Sequence, residues 1–241
     1  MGRELLEKIF HNWTKTYYTI PFWYCCSLFA LIVGIQNYRR ERIYFFFILY
    51  TLATLICLVI WDCSNAQIIN NSKKLITLET VNTLFTILEI SIFAYFFNAV
   101  INSKYAKIFL RISVITVYTL SSIFFILTFT SQLTNVNVLA FSYLVNISEF
   151  ILLLLLCLVY FYELFDQNRQ LPAFKKTASF LIVVGLFFYT LISFPFLLIG
   201  DKLLSYSKGL FYAMFSMHYI SIGILFICLA KAFKCKTSLT T

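Results

Sequence analysis

Seven long apolar stretches alternate with short polar links along the chain. An α-helix needs about 20 apolar residues to cross the hydrocarbon core of a membrane, and each stretch is close to that length. The links are shorter than about 20 residues, which leaves no room between the stretches for a separate folded domain. The pattern predicts an all-α, polytopic seven-transmembrane-helix bundle. The predicted spans are Tyr18–Ile35, Ile43–Trp61, Thr80–Ile101, Ile108–Phe129, Val138–Tyr160, Thr177–Ile199 and Gly209–Ala230.

Two further segments flank the predicted transmembrane domain of residues 18–230. Residues 1–17 mix apolar and charged positions at helical spacing, which predicts a short segment lying in the membrane interface. Residues 231–241 are predicted to form a basic tail.

Composition and charge narrow the class of partner. Charged residues make up 12% of the chain, against about 25% in a typical soluble domain. The net charge of +9 lies in links beside apolar stretches, as is typical of residues that contact lipid headgroups. These basic runs are too short for a nucleic-acid surface, so the expected partner is the lipid bilayer and not nucleic acid. The cysteines form no CxxC pair, and neither a disulfide framework nor a cofactor is expected.

The distribution of Lys and Arg predicts an orientation. These residues are more numerous in the links after the first, third and fifth spans and in the tail than on the opposite side. By the positive-inside rule, the N-terminus is predicted to lie outside and the C-terminus in the cytoplasm. The abundance of Ile, Phe, Asn, Lys and Tyr suits an AT-rich bacterial genome, so we expect a bacterial inner membrane.

Several single residues carry local predictions. Pro195 is expected to bend the sixth span, because proline removes a backbone donor. Gly223 is expected to allow close helix packing in the seventh span. Trp23 is predicted to be an aromatic residue at the membrane interface. Glu163 is predicted to be a solvated residue opposite Arg169.

Ionisable side chains occur near the middle of three predicted spans. Glu89, Glu149 and His218 lie at similar depth in the third, fifth and seventh spans. Tyr118 and Tyr189 lie near the middle of the fourth and sixth spans. Because such groups are costly in lipid and usually face the bundle interior, these residues predict a polar layer across the bundle.

Polar residues also form stripes that lead to the two glutamates. Spacings of three and four place the members of each stripe on one helix face, so the two stripes are predicted to line an outward-facing cavity. The stripes are Glu79, Asn82, Thr86 and Glu89 in the third span, and Ser142, Asn146 and Glu149 in the fifth.

Three roles remain open for this polar layer: hydrogen bonding between helices by protonated glutamates, a pocket for a ligand or ion, and catalysis. His218 is more typical of a satisfied core histidine than of a metal ligand, and no metal site is predicted. No catalytic residue is assigned. The candidates for binding a ligand or proton are Glu89, Glu149, His218, Asn82, Asn146 and Tyr189.

Two well-known seven-helix classes do not fit. A retinal protein needs a lysine in the middle of its seventh helix, whereas Lys208 and Lys231 only flank the seventh span. An ordinary G-protein-coupled receptor has an acidic-Arg-aromatic triplet after its third helix, where this chain has Ile101-Asn102-Ser103-Lys104.

Short polar and aromatic patterns recur in three spans. They are Asn82 and Glu89 followed by Tyr95-Phe96-Phe97, then Tyr160-Phe161-Tyr162-Glu163-Leu164, and Gly185-Leu186-Phe187-Phe188-Tyr189. In these patterns the chain resembles a class of uncharacterised bacterial seven-helix membrane proteins. The resemblance implies the seven-helix fold and no particular activity.

These observations favour a small receptor or sensor module that signals to a separate partner. The outward N-terminus, the outward-facing cavity and the lack of a catalytic motif support this function and favour a protein that is not an enzyme. The basic links Arg39–Arg42 and Arg169–Lys176 would be the surface for a cytoplasmic signalling partner. The alternatives are a proton-coupled transporter that uses Glu89 and Glu149, and an intramembrane hydrolase that uses His218.

Overall fold

The computed structural model describes residues 19–37, 42–65, 71–130, 135–166 and 177–235, and these contain seven α-helices. The prediction of an all-α fold is confirmed. The helices are α1 (Thr19–Asn37), α2 (Arg42–Asn65), α3 (Asn71–Val100), α4 (Lys104–Phe129), α5 (Asn135–Asp166), α6 (Ala178–Tyr206) and α7 (Lys208–Lys234).

Six of the helices, α2 to α7, are long and apolar enough to cross a membrane. The apolar part of α1 within the described residues is the shorter Phe22–Asn37. Several helices extend beyond the predicted spans, since α3 begins at Asn71 and α5 ends at Asp166. Hydropathy marks only the part of a helix that suits hydrocarbon, whereas the helix itself can continue into the headgroup region.

The segments predicted at the two ends are only partly described. Residues 1–17 lie outside the described residues, as do residues 236–241 of the predicted tail. Residues 231–234 belong to the last turn of α7, so the described start of that tail is helical.

Six helices form a closed ring. Around the ring, α1 packs against α2, α2 against α3, α3 against α5, α5 against α6, α6 against α7, and α7 against α1. Helix α4 stands outside the ring, where it packs against α3 and α5. The connection through α4 therefore makes α3 and α5 neighbours that run in the same direction.

The outer surface of the bundle is strongly apolar. On α4, Ile112, Ile115 and Ile126 are 60%, 64% and 62% exposed. Continuous apolar surface of this kind is unusual on a soluble monomer, whereas lipid tails would cover it at no cost. The outer surface thus matches a bilayer.

Glycines bring three pairs of helices into close contact. A Cβ atom at Gly185 of α6 would lie 2.8 Å from Cβ of Cys228 and 3.2 Å from Cα of Leu225 in α7. At Gly223 of α7, a Cβ atom would lie 2.4 Å from the Phe22 ring of α1, in agreement with the close packing expected there. Gly34 similarly fits against side chains of α2 and α7.

Helix α6 runs without a break through Pro195. Thr177 is the N-cap of the helix, and its hydroxyl accepts a hydrogen bond from the backbone N–H of Phe180. The structure therefore shows that the helix continues through Pro195, and the bend expected there stays a prediction.

Glu163 stabilises the turn between α3 and α4. Its two carboxylate oxygens accept hydrogen bonds from the backbone N–H groups of Asn102 and Ser103, at 2.8 and 3.0 Å. A carboxylate at a helix N-terminus satisfies free N–H groups and interacts favourably with the helix dipole. Glu163 is only partly buried, so it remains partly solvated, but its capping of the turn was not predicted, because that role depends on the packing that brings the end of α5 to the start of α4.

We expect Glu163→Ala to lower the free energy of unfolding by about 1 kcal/mol, the usual loss when a helix cap is removed. The thermal unfolding midpoint of the purified protein in detergent would report this loss. Glu163→Gln retains one acceptor oxygen and should lose less. Equal midpoints for Glu163→Ala and the unsubstituted protein would contradict a stabilising cap.

Candidate functional site

A cavity of about 210 Å³ lies inside the ring, and every ring helix contributes to its wall. Helix α4 contributes no lining residue, which agrees with its place outside the ring. The cavity is therefore a product of the ring as a whole. Its polar and ionisable lining includes Tyr50, Thr54, Asn82, Thr86, Glu89, Asn146, Glu149, Tyr189 and His218.

A second cavity of about 320 Å³ adjoins the first, since Asn82, Asn146 and His218 line both. It extends toward the beginning of α3 and α5, where Glu79 and Tyr143 join the lining. We call this second cavity the vestibule, and this side of the bundle the open end. Asn82, at the junction of the two cavities, is exposed.

The opposite half of the bundle is closed by packed side chains. One or two turns beyond Glu89 and Glu149, the helices present residues with essentially no exposed surface. We call this half the sealed end. Its fully buried side chains include Phe47, Phe93, Phe96, Phe97, Leu153, Leu156, Leu186, Phe226, Leu229 and Phe233. Among the residues that the structure describes, the cavity is thus open toward one end of the helices only.

Glu89 is buried in the cavity wall with a defined partner. Its side chain is 2% exposed, and the Tyr50 hydroxyl donates a hydrogen bond to its Oε1 at 2.9 Å. Tyr50 in turn packs between the rings of Phe85 and Phe226, with ring centroids 5.8 and 6.0 Å away. The Glu89 carboxyl is therefore held in one place by a rigid aromatic donor.

Glu149 differs from Glu89 in its hydrogen bonding. Its side chain is also 2% exposed, but within the described part of the chain its Oε1 has no hydrogen-bond partner. The nearby Thr86 hydroxyl donates to Oδ1 of Asn146 at 3.0 Å. Since the great majority of buried polar atoms are paired, an unpaired carboxyl oxygen on a residue that lines a cavity requires an explanation.

His218 is held against α6. Its Nδ1 lies 2.7 Å from the Ser193 hydroxyl, and its ring stacks on Phe196 with centroids 5.3 Å apart. The Ser193 hydroxyl is also 3.4 Å from that of Ser221. His218 thus lines the cavity while one ring nitrogen is used in the contact between α6 and α7.

The remaining predicted site residues are divided between the cavity and other places. Asn82, Asn146 and Tyr189 line the cavity together with the two glutamates. At the vestibule the Ser142 hydroxyl donates a hydrogen bond to Oε2 of Glu79, which joins the two predicted polar stripes.

Tyr118 does not belong to this polar layer, contrary to the prediction. It lies on α4, outside the ring, with its hydroxyl 2.6 Å from that of Ser91 on α3. Tyr118 lies at a height along the bundle close to that of Glu89, since it contacts Ser91. It lies outside the polar layer because α4 packs on the outer side of α3, and the tertiary structure decides that packing.

The interpretation of Trp23 as an interfacial residue is also wrong. Its ring lines the cavity and lies 4.8 Å from that of Tyr219, and its buried Nε1 has no hydrogen-bond partner among the described residues. Trp23 is therefore part of the site.

Helix α2 supplies lining residues that the sequence reading overlooked. Tyr50, Thr54 and Cys57 all line the cavity. Their spacings of four and three match those of the stripe in the third span, so helical periodicity would have found them. They were missed because the second span, unlike the third and fifth, has no mid-span glutamate to draw attention to its polar face.

Metal-ligand geometry is not formed in the described ranges. No group of three or more His, Cys, Asp or Glu side chains is arranged there so that it could hold a metal ion. Glu89, Glu149 and His218 line one cavity as separate groups.

The apolar outer surface and the six helices long and apolar enough to cross a membrane are consistent with a multi-pass integral membrane protein that has an internal cavity. Comparison with protein-family models, with curated proteins and with solved structures finds no match to this chain.

Proposed function

We propose that the protein is a small membrane receptor that binds a ligand in its central cavity and signals to a separate partner. The observation that carries this proposal is the one-sided shape of the cavity. Polar side chains lead inward from the open end to Glu89 and Glu149, and the buried aromatic residues of the sealed end lie beyond them. A ligand can enter such a site without being passed across the membrane.

The cation distribution gives the proposed direction of the signal. With the N-terminus outside, the open end faces the exterior and the sealed end faces the cytoplasm. At the sealed end Lys104, Arg111, Lys231 and Lys234 are exposed, and they offer a basic surface to an acidic partner. Of the links proposed as part of the same surface, residues 39–41 and Arg169–Lys176 lie outside the described residues, and Arg42 is the first residue of α2.

The sealed end also offers a means of transmission. Its side chains are close-packed across α2, α3, α5, α6 and α7, and a close-packed interior transmits displacement because it has little free volume. A ligand that draws the cavity walls together at Glu149 would therefore shift the helix ends at the basic surface.

We expect a cysteine at position 82 to be reachable from the exterior only. The test uses Asn82→Cys with Cys57→Ser and Cys63→Ser, and a membrane-impermeant thiol reagent. Because Asn82 is exposed at the junction with the vestibule, intact cells should label this cysteine, whereas inverted vesicles should not. Peptide mass spectrometry would measure the labelled fraction.

Native Cys235 provides the control for sidedness, since it follows the last residue of α7 at the sealed end. It should label in inverted vesicles and not in intact cells. Partial burial raises the pKa of the Cys235 thiol, so labelling is best done at alkaline pH, where more thiolate forms. Labelling of the cysteine at position 82 from both sides would contradict the proposed receptor, because a site reachable from both sides is the property of a transporter.

Proton-coupled transport is the second candidate, and a specific observation favours it. Two buried carboxyl groups, Glu89 and Glu149, share one cavity, and like charges in one site disfavour simultaneous ionisation. A site of this kind is suited to exchange a proton. The labelling experiment separates the two candidates, since alternating access would expose position 82 to both sides.

A hydrolase is less well supported. His218 lies 2.7 Å from the Ser193 hydroxyl, which resembles a nucleophile and its base. However, Ser193 is fully buried and is not among the residues that line the cavity. A substrate held in the cavity would therefore not meet that hydroxyl.

A further inference from the structure

The ionisable lining of the two cavities is mostly acidic, with His218 as the one basic side chain among the described lining residues. Glu79, Glu89 and Glu149 contribute carboxyl groups, and no lysine or arginine is among the described residues that line either cavity. In a low-dielectric interior an unscreened carboxylate attracts a cation strongly. The lining of the site thus favours a positively charged ligand over a negatively charged one.

The hydrogen bonding of the two deep glutamates shows where that charge would bind. Oε1 of Glu89 already accepts from the Tyr50 hydroxyl. Glu149 lines the same cavity, and its buried Oε1 has no partner in the described structure. Leaving a buried acceptor unpaired is unfavourable, so Glu149 is the position at which an added N–H donor would be most effective.

The rest of the wall is aromatic. Trp23, Phe85, Phe150, Tyr189 and Tyr219 all line the cavity that contains Glu149. Aromatic faces within about 6 Å of a cation attract it through their quadrupoles. Such a wall accepts a charged nitrogen together with the carbon atoms attached to it, which a wall of carboxylates and waters would not do.

Cavity size limits the part of the ligand that lies beside Glu149, on the inner side of the vestibule. A volume of about 210 Å³ is below the range of about 300–1,000 Å³ for drug-sized ligands. We infer that the ligand is a small organic cation that pairs with Glu149 inside the aromatic wall, and this inference rests on the proposed receptor function. Such a ligand would be an ammonium compound with a short carbon skeleton.

Cys57 allows this inference to be tested with reagents that are themselves small ions. It lines the same cavity as Glu149. Three methanethiosulfonates of similar size would be compared on Cys63→Ser protein in lipid nanodiscs: trimethylammonioethyl, hydroxyethyl and sulfonatoethyl. The modification rate of Cys57 is the part of the total rate that is lost when Cys57→Ser is added. This rate is normalised by dividing it by the rate at which the same reagent modifies a free thiol in solution.

We expect the cationic reagent to react about tenfold faster than the neutral one, and the anionic reagent to be the slowest, because of the carboxylates in the wall. Glu149→Gln should reduce the cation-to-neutral ratio by at least about threefold, since glutamine keeps the shape but cannot ionise beside the cation as a carboxyl group does. Glu163→Gln removes a carboxylate at the sealed end, away from the cavity, and should leave the ratio unchanged.

The possible failures are distinguishable. Equal normalised rates for all three reagents would overturn the inferred cationic ligand and leave the accessible cavity of the proposed receptor intact. Failure of all three reagents to modify Cys57 in nanodiscs, where both faces are open to solvent, would overturn the proposed function as well. If Glu149→Gln does not give folded protein, the ratio in protein that retains Glu149 decides the question by itself.

Discussion

Gly185→Leu should be strongly destabilising, with a loss of about 3 kcal/mol in the free energy of unfolding, at the upper end of the usual range for overpacking. The added side chain would start 2.8 Å from Cβ of Cys228 and 3.2 Å from Cα of Leu225. The second contact is with backbone, so no rotation of a neighbouring side chain can relieve it. Helices α6 and α7 would have to separate.

That separation would open the most extensive helix contact in the bundle, since α6 and α7 share more of their length than other pairs. The thermal unfolding midpoint in detergent measures the effect. Gly209→Leu is the matched control, because a Cβ atom at Gly209 meets only Oγ of Ser207, at 3.9 Å. Its effect should remain within about 0.5 kcal/mol. Similar midpoints for the two variants would show that α6 and α7 tolerate separation at position 185.

The second large effect concerns the two buried glutamates, whose replacement by methionine should change the free energy of unfolding in opposite directions. We expect Glu149→Met to raise the free energy of unfolding by about 1–2 kcal/mol, because it removes a buried oxygen that has no partner. Thr86 keeps its hydrogen bond to Asn146 in this variant. Methionine has nearly the shape of glutamate and adapts to irregular space.

Glu89→Met should act in the opposite direction and lower stability by about 1–3 kcal/mol, since it leaves the buried Tyr50 hydroxyl without its acceptor. Thermal unfolding of the two variants side by side gives the comparison. Residues retained at a cost in stability are commonly functional. A loss of stability in Glu149→Met similar to that in Glu89→Met would instead assign both glutamates to structural hydrogen bonding between helices.

The sequence correctly predicted that polar side chains meet where they follow helical spacing. The stripes ending at Glu89 and Glu149 do meet, as the bond between Ser142 and Glu79 shows. The spacing argument works because three- and four-residue steps place side chains on one helix face regardless of what surrounds the helix.

The same reasoning could not place Trp23 or Tyr118. In a soluble protein the apolar face of a helix points inward, but in a membrane both the lipid and the protein interior are apolar. Hydropathy therefore does not distinguish the side of α1 that carries Trp23 from the side that meets lipid. Nor does it show that Tyr118 contacts α3 from outside the ring.

The sequence by itself determined the helices, their approximate lengths and the position of each ionisable group along its helix, because these depend on local hydrogen bonding and on hydrophobic length along one segment. The tertiary structure alone decided the order of the ring and the exclusion of α4. It also decided that Tyr50 satisfies Glu89 while Glu149 keeps an unpaired oxygen. These features depend on contacts between segments far apart in the chain, and the rotation of each helix is set by side-chain packing, which no single apolar stretch encodes.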